Sequence, residues 1–216
     1  MKPKVIIFDF DGTLCDTRSN IIIAFRATME RLGLPMRDEH TCGSTIGLTL
    51  RDGFRSMYPE LDDAAIDHCV DTYREIFAER REELMPDLFE GVATTLAELH
   101  SRGYRFTIAS SRLTDSLMLF MRAHSIDHYF EYVVGSDSVV NHKPHAEPVL
   151  NTLDKLNVKP SDAFVVGDMP VDIAMAHGAS VVACGVTYGN ATREELEAAN
   201  AEYVIDNFAQ LLEILE

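Results

Sequence analysis

Positive charge is scarce in this chain of 216 residues: 19 Lys and Arg face 35 Asp and Glu, for a formal net charge of -16. So acidic a balance leaves no electrostatic footprint for nucleic acid or for an anionic membrane surface. It also repels phosphorylated small molecules at long range, so a bound anion must be held by local devices: a metal ion, a few cations, a helix N-terminus. Cysteine is sparse and scattered. Cys15, Cys42, Cys69 and Cys184 form no C-x-x-C pair, which argues against a metal knuckle or a disulfide scaffold and fits a reducing compartment. No apolar run is long enough to span a bilayer, and the opening run stops at Asp9, too short for the core of a signal peptide. The expected location is the cytoplasm. Internal repeats and low-complexity tracts are missing, and between Asp16 and Phe89 there is not one lysine.

What is present begins with Val5-Ile6-Ile7-Phe8-Asp9-Phe10-Asp11-Gly12-Thr13-Leu14. An apolar strand ends at an acid, and a second acid follows two residues later. Strand side chains alternate, so Asp9 and Asp11 point the same way if the strand continues. Gly12 accepts a positive φ and lets the chain leave the sheet. Two carboxylates then sit at the carboxyl end of a buried strand, where open α/β sheets bind ligands. Like charges that close need a cation, a proton, or both.

Beyond Asp16 the rhythm is helical. Asp16 or Thr17 can cap a helix carrying Ile22, Phe25, Met29 and Leu32 on one face, closed by Gly33 and Pro35. A loop with Gly43 and Gly47 leads to a short helix over about 49–57. Asp62-Asp63 then opens a long helix with Ile66, Val70, Tyr73 and Phe77 on its apolar face. After Met85-Pro86-Asp87 the pattern changes to alternating helices and apolar strands, with strands over 104–109, 131–135, 163–166, 180–185 and 202–205. Such alternation predicts an α/β, doubly wound parallel sheet of Rossmann-like form. The first strand belongs with the later ones, so residues 1–15 and 87–216 form the expected α/β core and residues 16–86 an inserted all-helical cap.

In a parallel sheet every carboxyl end lies on one edge. Reading along that edge gives Asp9 and Asp11, then Ser110 with Ser111, then Lys143, then Asp168 with Asp172. Carboxylates, a hydroxyl and a lysine are the parts that magnesium-assisted phosphoryl transfer requires. Each has a plain structural reading when taken singly: Ser110 as a helix cap, Lys143 as a solvated loop residue, Asp172 as a helix-start acid. Their order at successive strand ends makes the joint reading the stronger one.

These motifs resemble those of the haloacid dehalogenase superfamily, in its phosphoglycolate phosphatase-like branch with a helical cap. The resemblance rests on Asp9-Phe10-Asp11-Gly12-Thr13, Ser110 after an apolar strand, Lys143-Pro144, and Gly167-Asp168-Met169-Pro170-Val171-Asp172, and it spans nearly the whole chain. Gly185-Val186-Thr187-Tyr188-Gly189 and Thr192-Arg193-Glu194-Glu195-Leu196 are similar to that branch as well. The resemblance implies a magnesium-dependent phosphatase acting on a small phosphorylated metabolite through an aspartyl-phosphate. Asp9 would be the nucleophile. Asp11 would be general acid and then general base, a role that requires a proton at working pH, which the neighbouring Asp9 favours. Ser110 and the Ser111 amide would bind phosphate oxygens, and Lys143 would neutralise phosphate and nucleophile. Asp168 would ligate magnesium together with Asp9 and the Asp11 carbonyl, with Asp172 in support behind them. Two departures stand out: Lys143-Pro144 lacks the usual second proline, and Met169 replaces a commonly polar residue. His142 and His145 read as surface residues beside the lysine.

Other chemistries of the family are weighed by single residues. Dehalogenases lack the second acid, and here Asp11 is present. Phosphonatases use a cap lysine, and the cap has none. A β-phosphoglucomutase-like sugar phosphomutase and an inorganic pyrophosphatase stay open as alternatives. A phospho-accepting receiver domain is disfavoured, because its phosphorylated aspartate lies at a later strand and it carries no helical insertion. Within the cap, the loop Ile46 to Arg51 is the expected substrate selector. Arg51 either grips a carboxylate or second phosphate, or pairs with Asp52 or a nearby acid at the surface. A monomer or weak homodimer is expected.

Overall fold

The computed structural model describes residues 3–215; Met1, Lys2 and Glu216, which fall in the expected core, lie outside the described residues. Strand β1 (Val5–Phe8) is fully buried, and its alternation decides the layering. Val5 and Ile7 pack with Val149, Leu153, Ile173 and Leu196 on one face of the sheet. Ile6 and Phe8 pack with Leu96, Phe106, Leu117 and Leu211 on the other. A strand buried on both faces must be apolar throughout, which is why VIIF carries no polar residue.

The remaining strands of the main sheet are β4 (Arg105–Ala109), β5 (Phe130–Val134), β6 (Ala163–Gly167), β7 (Val182–Val186) and β8 (Tyr203–Ile205), after the short β2 (Cys15–Asp16) and β3 (Asp87–Leu88). The sheet runs β5-β4-β1-β6-β7-β8 with every pairing parallel. Helices α5 (Val92–Ser101), α6 (Thr114–Ala123) and α10 (Leu211–Ile214) cover the Ile6 and Phe8 face. Helices α7 (Glu147–Leu156), α8 (Pro170–Gly178) and α9 (Arg193–Ala198) cover the other. The α/β, doubly wound architecture is therefore the one expected. Because β1 has β4 on one side and β6 on the other, its carboxyl end is the point where the winding changes direction, and a crevice opens there. Phe8 is in register with Ile108 and with Val166, so Asp9, Ser110 and Asp168 emerge along one edge.

Between β2 and β3 the chain forms α1 (Arg18–Leu32), α2 (Glu39–Gly43), α3 (Leu50–Met57) and α4 (Asp63–Glu79). These helices have a core of their own, centred on Phe25, whose ring lies 5.0 Å from Tyr73 and 5.1 Å from Phe54. Asp62 caps α4 by accepting from the Ala65 amide at 2.8 Å, as its position predicts. Thr17 stands at the N-terminus of α1 as expected, yet its side chain makes no cap hydrogen bond. Three short elements were not foreseen. α2 is five residues long, too short for a helical period to be read, and the antiparallel pair β2–β3 offers two residues a side. That small pair ties together the two chain crossings between helices and sheet. No helix among the described residues is long and apolar enough to cross a membrane.

Candidate active site

Asp9 is the residue after β1, held in place by its own amide, which donates to the Val166 carbonyl at 2.8 Å. Its side chain is buried against Lys143, whose Nζ lies 2.7 Å from Asp9 Oδ1 and 2.6 Å from Asp172 Oδ1. Asp172, on the first turn of α8, uses its other oxygen to accept from the Met169 amide at 3.0 Å. The backbone of Met169 thus orients Asp172, although its side chain brings no polar group. Oxygens of Asp9, Asp168 and Asp172 come within 4.8 Å of one another. Two buried carboxylates therefore share one ammonium group, with the buried Asp168 carboxylate close by. Burial pushes the Asp9 carboxyl up to about 7, against the pull of Lys143. Asp168 is also driven well above the carboxylate range, by burial first and then by Asp9 and Asp172. Burial alone would lower the Lys143 ammonium, but Asp172 and Asp9 raise it above its ordinary value. One ammonium group leaves the three acids short of positive charge.

Asp168 marks where that charge belongs. Its Oδ2 accepts from the Asn190 amide at 2.7 Å and from Asn190 Nδ2 at 2.8 Å. Its Oδ1 is buried with no partner. A carboxylate oxygen left bare inside a protein is costly unless something electropositive meets it. Asp9, Asp168 and Asp172 supply only hard oxygen donors, the set that suits magnesium rather than a softer metal, so the residues fit that ion. Asn190 is itself held by Arg18 of α1, which donates from Nη1 to Asn190 Oδ1 at 3.0 Å.

Asp11 shares a cavity with Asp9, but its ion-pair partner is Arg112, whose Nε lies 3.2 and 3.1 Å from the two carboxylate oxygens and whose Nη2 lies 2.7 Å from Oδ1. The pair is largely buried, with the guanidinium 4.9 Å from the ring centre of Phe120 in α6 and 5.5 Å from that of Phe77 in α4. Ser110 sits beneath the pair, its amide donating to Val134 and its Oγ accepting from the Arg112 amide at 3.3 Å. Ser111 turns to the helical insertion, donating to the Gly47 carbonyl at 2.7 Å. The first amide of α6 is already taken, since Thr114 N and Oγ1 both donate to Asp137 at 2.9 and 2.7 Å.

A cavity of about 950 Å³ opens over these groups between the helical insertion and the sheet edge. Asp9, Asp11, Ser110 and Ser111 form part of its floor, and the loop from Ile46 to Arg51 lines its other side together with Tyr73 and Phe77 of α4. Arg51 faces this cavity while paired with Asp63 at 2.8 Å and with Asp67, both acids of α4. His142 lines the cavity too, with Nδ1 buried and without a partner, whereas His145 stays at the surface and accepts from the Glu147 amide. The structure thus gathers Asp9, Lys143, Asp168 and Asp172 into one cluster, with Ser110 and Ser111 beside it, and sets Asp11 and Arg51 in ion pairs of their own. Arg112, Asn190 and Arg18 were missed. Arg112 follows a strand end by three residues, which is the signal that was there to be used; Asn190 and Arg18 lie in loop and helix positions whose spacing says nothing of Asp168.

Comparison with known proteins bears on this geometry. The family model described as haloacid dehalogenase-like hydrolase matches residues 6–186. The Dickeya dadantii protein named "Probable phosphatase IndB" is 34% identical over 98% of this chain and 93% of its own. "Pyrophosphatase PpaX" of Bacillus mycoides is 30% identical over 100% of this chain and 98% of its own. A solved structure of a haloacid dehalogenase-like hydrolase from Bacteroides fragilis superimposes with a TM-score of 0.92 at 30% identity, over 97% of this chain and 100% of that one. The chain belongs to the haloacid dehalogenase-like hydrolase family, among its phosphatases.

Proposed function

We propose that the protein is a magnesium-dependent phosphatase that removes the phosphoryl group from a small phosphorylated metabolite through an aspartyl-phosphate on Asp9. The observation that carries this reading is the buried Asp9 carboxylate facing Lys143 at 2.7 Å, beside Asp168 with its unpartnered Oδ1. Residues 16–86 act as the cap and residues 1–15 with 87–216 as the catalytic core. The crossings near Leu14–Asp16 and Leu84–Phe89 let the cap close to exclude water and open to release product.

In the first half-reaction an Asp9 oxygen attacks phosphorus, the bond from phosphorus to the leaving oxygen breaks, and the Asp11 carboxyl gives that oxygen its proton. In the second, water attacks the phosphoryl group, Asp11 takes the proton from the water, and Asp9 leaves as a carboxylate. Lys143 neutralises the phosphate oxygens and the Asp9 carboxylate as a fixed point charge. Ser110 Oγ and the Ser111 amide hold phosphate oxygens at the cavity floor. Asp9, Asp168 and the Asp11 carbonyl would hold magnesium, with Asp172 behind them, and the ion would supply charge neutralisation at the phosphoryl group.

Phosphoglycolate is the substrate type this reading favours, because its second anion suits a cavity with arginines in its wall. Pyrophosphate is the second reading, supported by the same arginines and by the relative named as a pyrophosphatase. A panel of phosphate monoesters and pyrophosphate, run with and without magnesium, tests both beside Asp9→Asn. Turnover in the wild type and its loss in a folded Asp9→Asn is the expected result. A variant that keeps most of its activity removes Asp9 as nucleophile.

A further inference from the structure

Arg112 has no place in the reaction written above, yet it is the best-built cation in the cavity. We propose that it is a positioning residue that parks the Asp11 carboxyl away from the Asp9–Asp168 cluster until an anionic group on the leaving portion of the substrate takes over the guanidinium. The proposal rests on the phosphatase reading, in which Asp11 serves the leaving oxygen. It names a substrate class: phosphate esters whose leaving portion carries a second anion.

The geometry has three parts. First, the fork is committed to Asp11, through Nε to both oxygens and Nη2 to Oδ1, so the carboxyl is held by the strongest arrangement an arginine offers. Phe120 and Phe77 flank the guanidinium, and Ser116 Oγ accepts from Nη1 at 3.2 Å, so the fork has little freedom to follow Asp11. Second, the cluster of Asp9, Asp168 and Asp172 within 4.8 Å does not include Asp11, although it is two residues from Asp9. With both its oxygens on the guanidinium, the Asp11 carboxyl must let go of Arg112 before it can serve an oxygen leaving a phosphorus bound at Asp9. Third, Arg112 lines the cavity, and a guanidinium has more donors than Asp11 and Ser116 consume. An arriving carboxylate or phosphate competes for those donors and repels Asp11 at the same time. Both effects free the Asp11 side chain, which takes a proton from solvent on leaving the guanidinium and can then give it to the leaving oxygen; Gly12, with a φ of 83°, makes the sharp turn behind it.

A second anion on the substrate thereby acts on kcat as well as on KM. Ethyl phosphate and phosphoglycolate, which differ by a methyl against a carboxylate, read this directly. In the wild type phosphoglycolate should exceed ethyl phosphate in kcat by about 100-fold, the scale of a general acid brought into play. In Arg112→Gln the ethyl phosphate kcat should rise by about tenfold, because Asp11 is no longer parked, while phosphoglycolate keeps most of its kcat and shows a raised KM, so that the kcat values of the two esters converge. A residue that only shaped the fold, or only bound the second anion, would not raise turnover of the ester that lacks one. An unchanged or lower ethyl phosphate kcat in the variant overturns the proposal, as does equal kcat for the two esters in the wild type. Arg112→Lys, which keeps the charge but not the fork, decides the matter if Arg112→Gln fails to fold, by the same rise in smaller measure. With magnesium, 4-nitrophenyl phosphate separates the two levels of the argument, since its leaving group needs no proton. No nitrophenolate from the wild type defeats the phosphatase reading itself. Release of nitrophenolate, with no rise on ethyl phosphate, defeats the role of Arg112 alone.

Discussion

Lys143 Nζ lies 2.7 Å from Asp9 Oδ1, with both side chains shut away from solvent. The lysine also serves Asp172 at 2.6 Å, so one ammonium group offsets two carboxylates directly and a third, Asp168, nearby. Removing it leaves buried acids without a counter-charge. We expect Lys143→Met to lower stability in metal-free buffer by about 3–5 kcal/mol, the usual result of deleting one partner from a buried pair. Magnesium should recover part of that loss, because it brings charge to the same cluster, while turnover stays abolished. Chemical denaturation with and without magnesium checks both. A metal-free variant as stable as wild type would mean that the acids take up protons at no cost.

The raised carboxyl of Asp9 gives stability a pH dependence of known sign. Its value in the folded protein is about 7 against an ordinary 3.8. Between these values the folded state binds more protons than the unfolded one, so stability from this group is fully present below the ordinary value and is lost as pH rises through about 7. Asp9→Asn lacks the ionisation. In metal-free buffer the melting temperature of Asp9→Asn relative to wild type should therefore climb between about pH 5 and about pH 8. Magnesium should stabilise the wild type more at the upper pH than at the lower, because it competes with the proton for the same oxygens. A difference that stays flat with pH would show that Asp9 is ionised throughout.

The sheet was legible because its strands are apolar runs stopped by polar residues. Phe8 before Asp9, Ala109 before Ser110 and Gly167 before Asp168 each mark a strand end, and parallel winding forces those ends together. Lys143 reaches the same edge through a loop, where its Nζ meets Asp9 and Asp172. Strand ends did not place the Asp11 side chain. Strand alternation would aim Asp11 with Asp9, but β1 ends at Phe8, and the turn to Gly12 directs Asp11 toward Arg112. Arg51 shows another limit. Its partners Asp63 and Asp67 lie on α4, and a contact between α3 and α4 follows from packing in the helical unit, not from local spacing. Asn190 was invisible for the same reason: its two donors to Asp168 depend on how the chain leaves β7.

Asn190 connects the helical insertion to the metal-fitting acid. Its amide group gives Nδ2 to Asp168 Oδ2 and takes Arg18 Nη1 on Oδ1, so α1 bears on the aim of Asp168 through one side chain. Losing such a supporting hydrogen bond typically costs about 10–100-fold in metal affinity. Asn190→Ala should weaken magnesium binding on that scale, read by calorimetry, with melting of the metal-free protein little changed. Arg18→Met should give a smaller effect in the same direction, since Asn190 Nδ2 still donates to Asp168 Oδ2 at 2.8 Å. Wild-type affinity in Asn190→Ala would show that Asp168 is oriented by the backbone alone.

Gly12 and Gly33 share a backbone conformation and differ in what surrounds them. Both have positive φ, 83° and 64°, where a β-carbon is disfavoured. A β-carbon at Gly33 meets nothing within 4 Å, whereas at Gly12 it would fall 2.1 Å from Asp168 Oδ2 and 2.5 Å from Asn190 Nδ2. Gly33→Ala should therefore lose about 1 kcal/mol of stability from backbone strain and keep full turnover. Gly12→Ala carries the same strain and in addition must displace Asp168 from the place where its bare oxygen would meet magnesium. We expect magnesium affinity and turnover to fall by at least about 100-fold in that variant, the scale set by losing the orientation of a metal ligand. Because strain is common to the pair, the excess loss in Gly12→Ala measures the requirement for Asp168 in position. If both variants lose stability alike and both keep turnover, Asp168 can move without consequence and the metal site must be placed elsewhere.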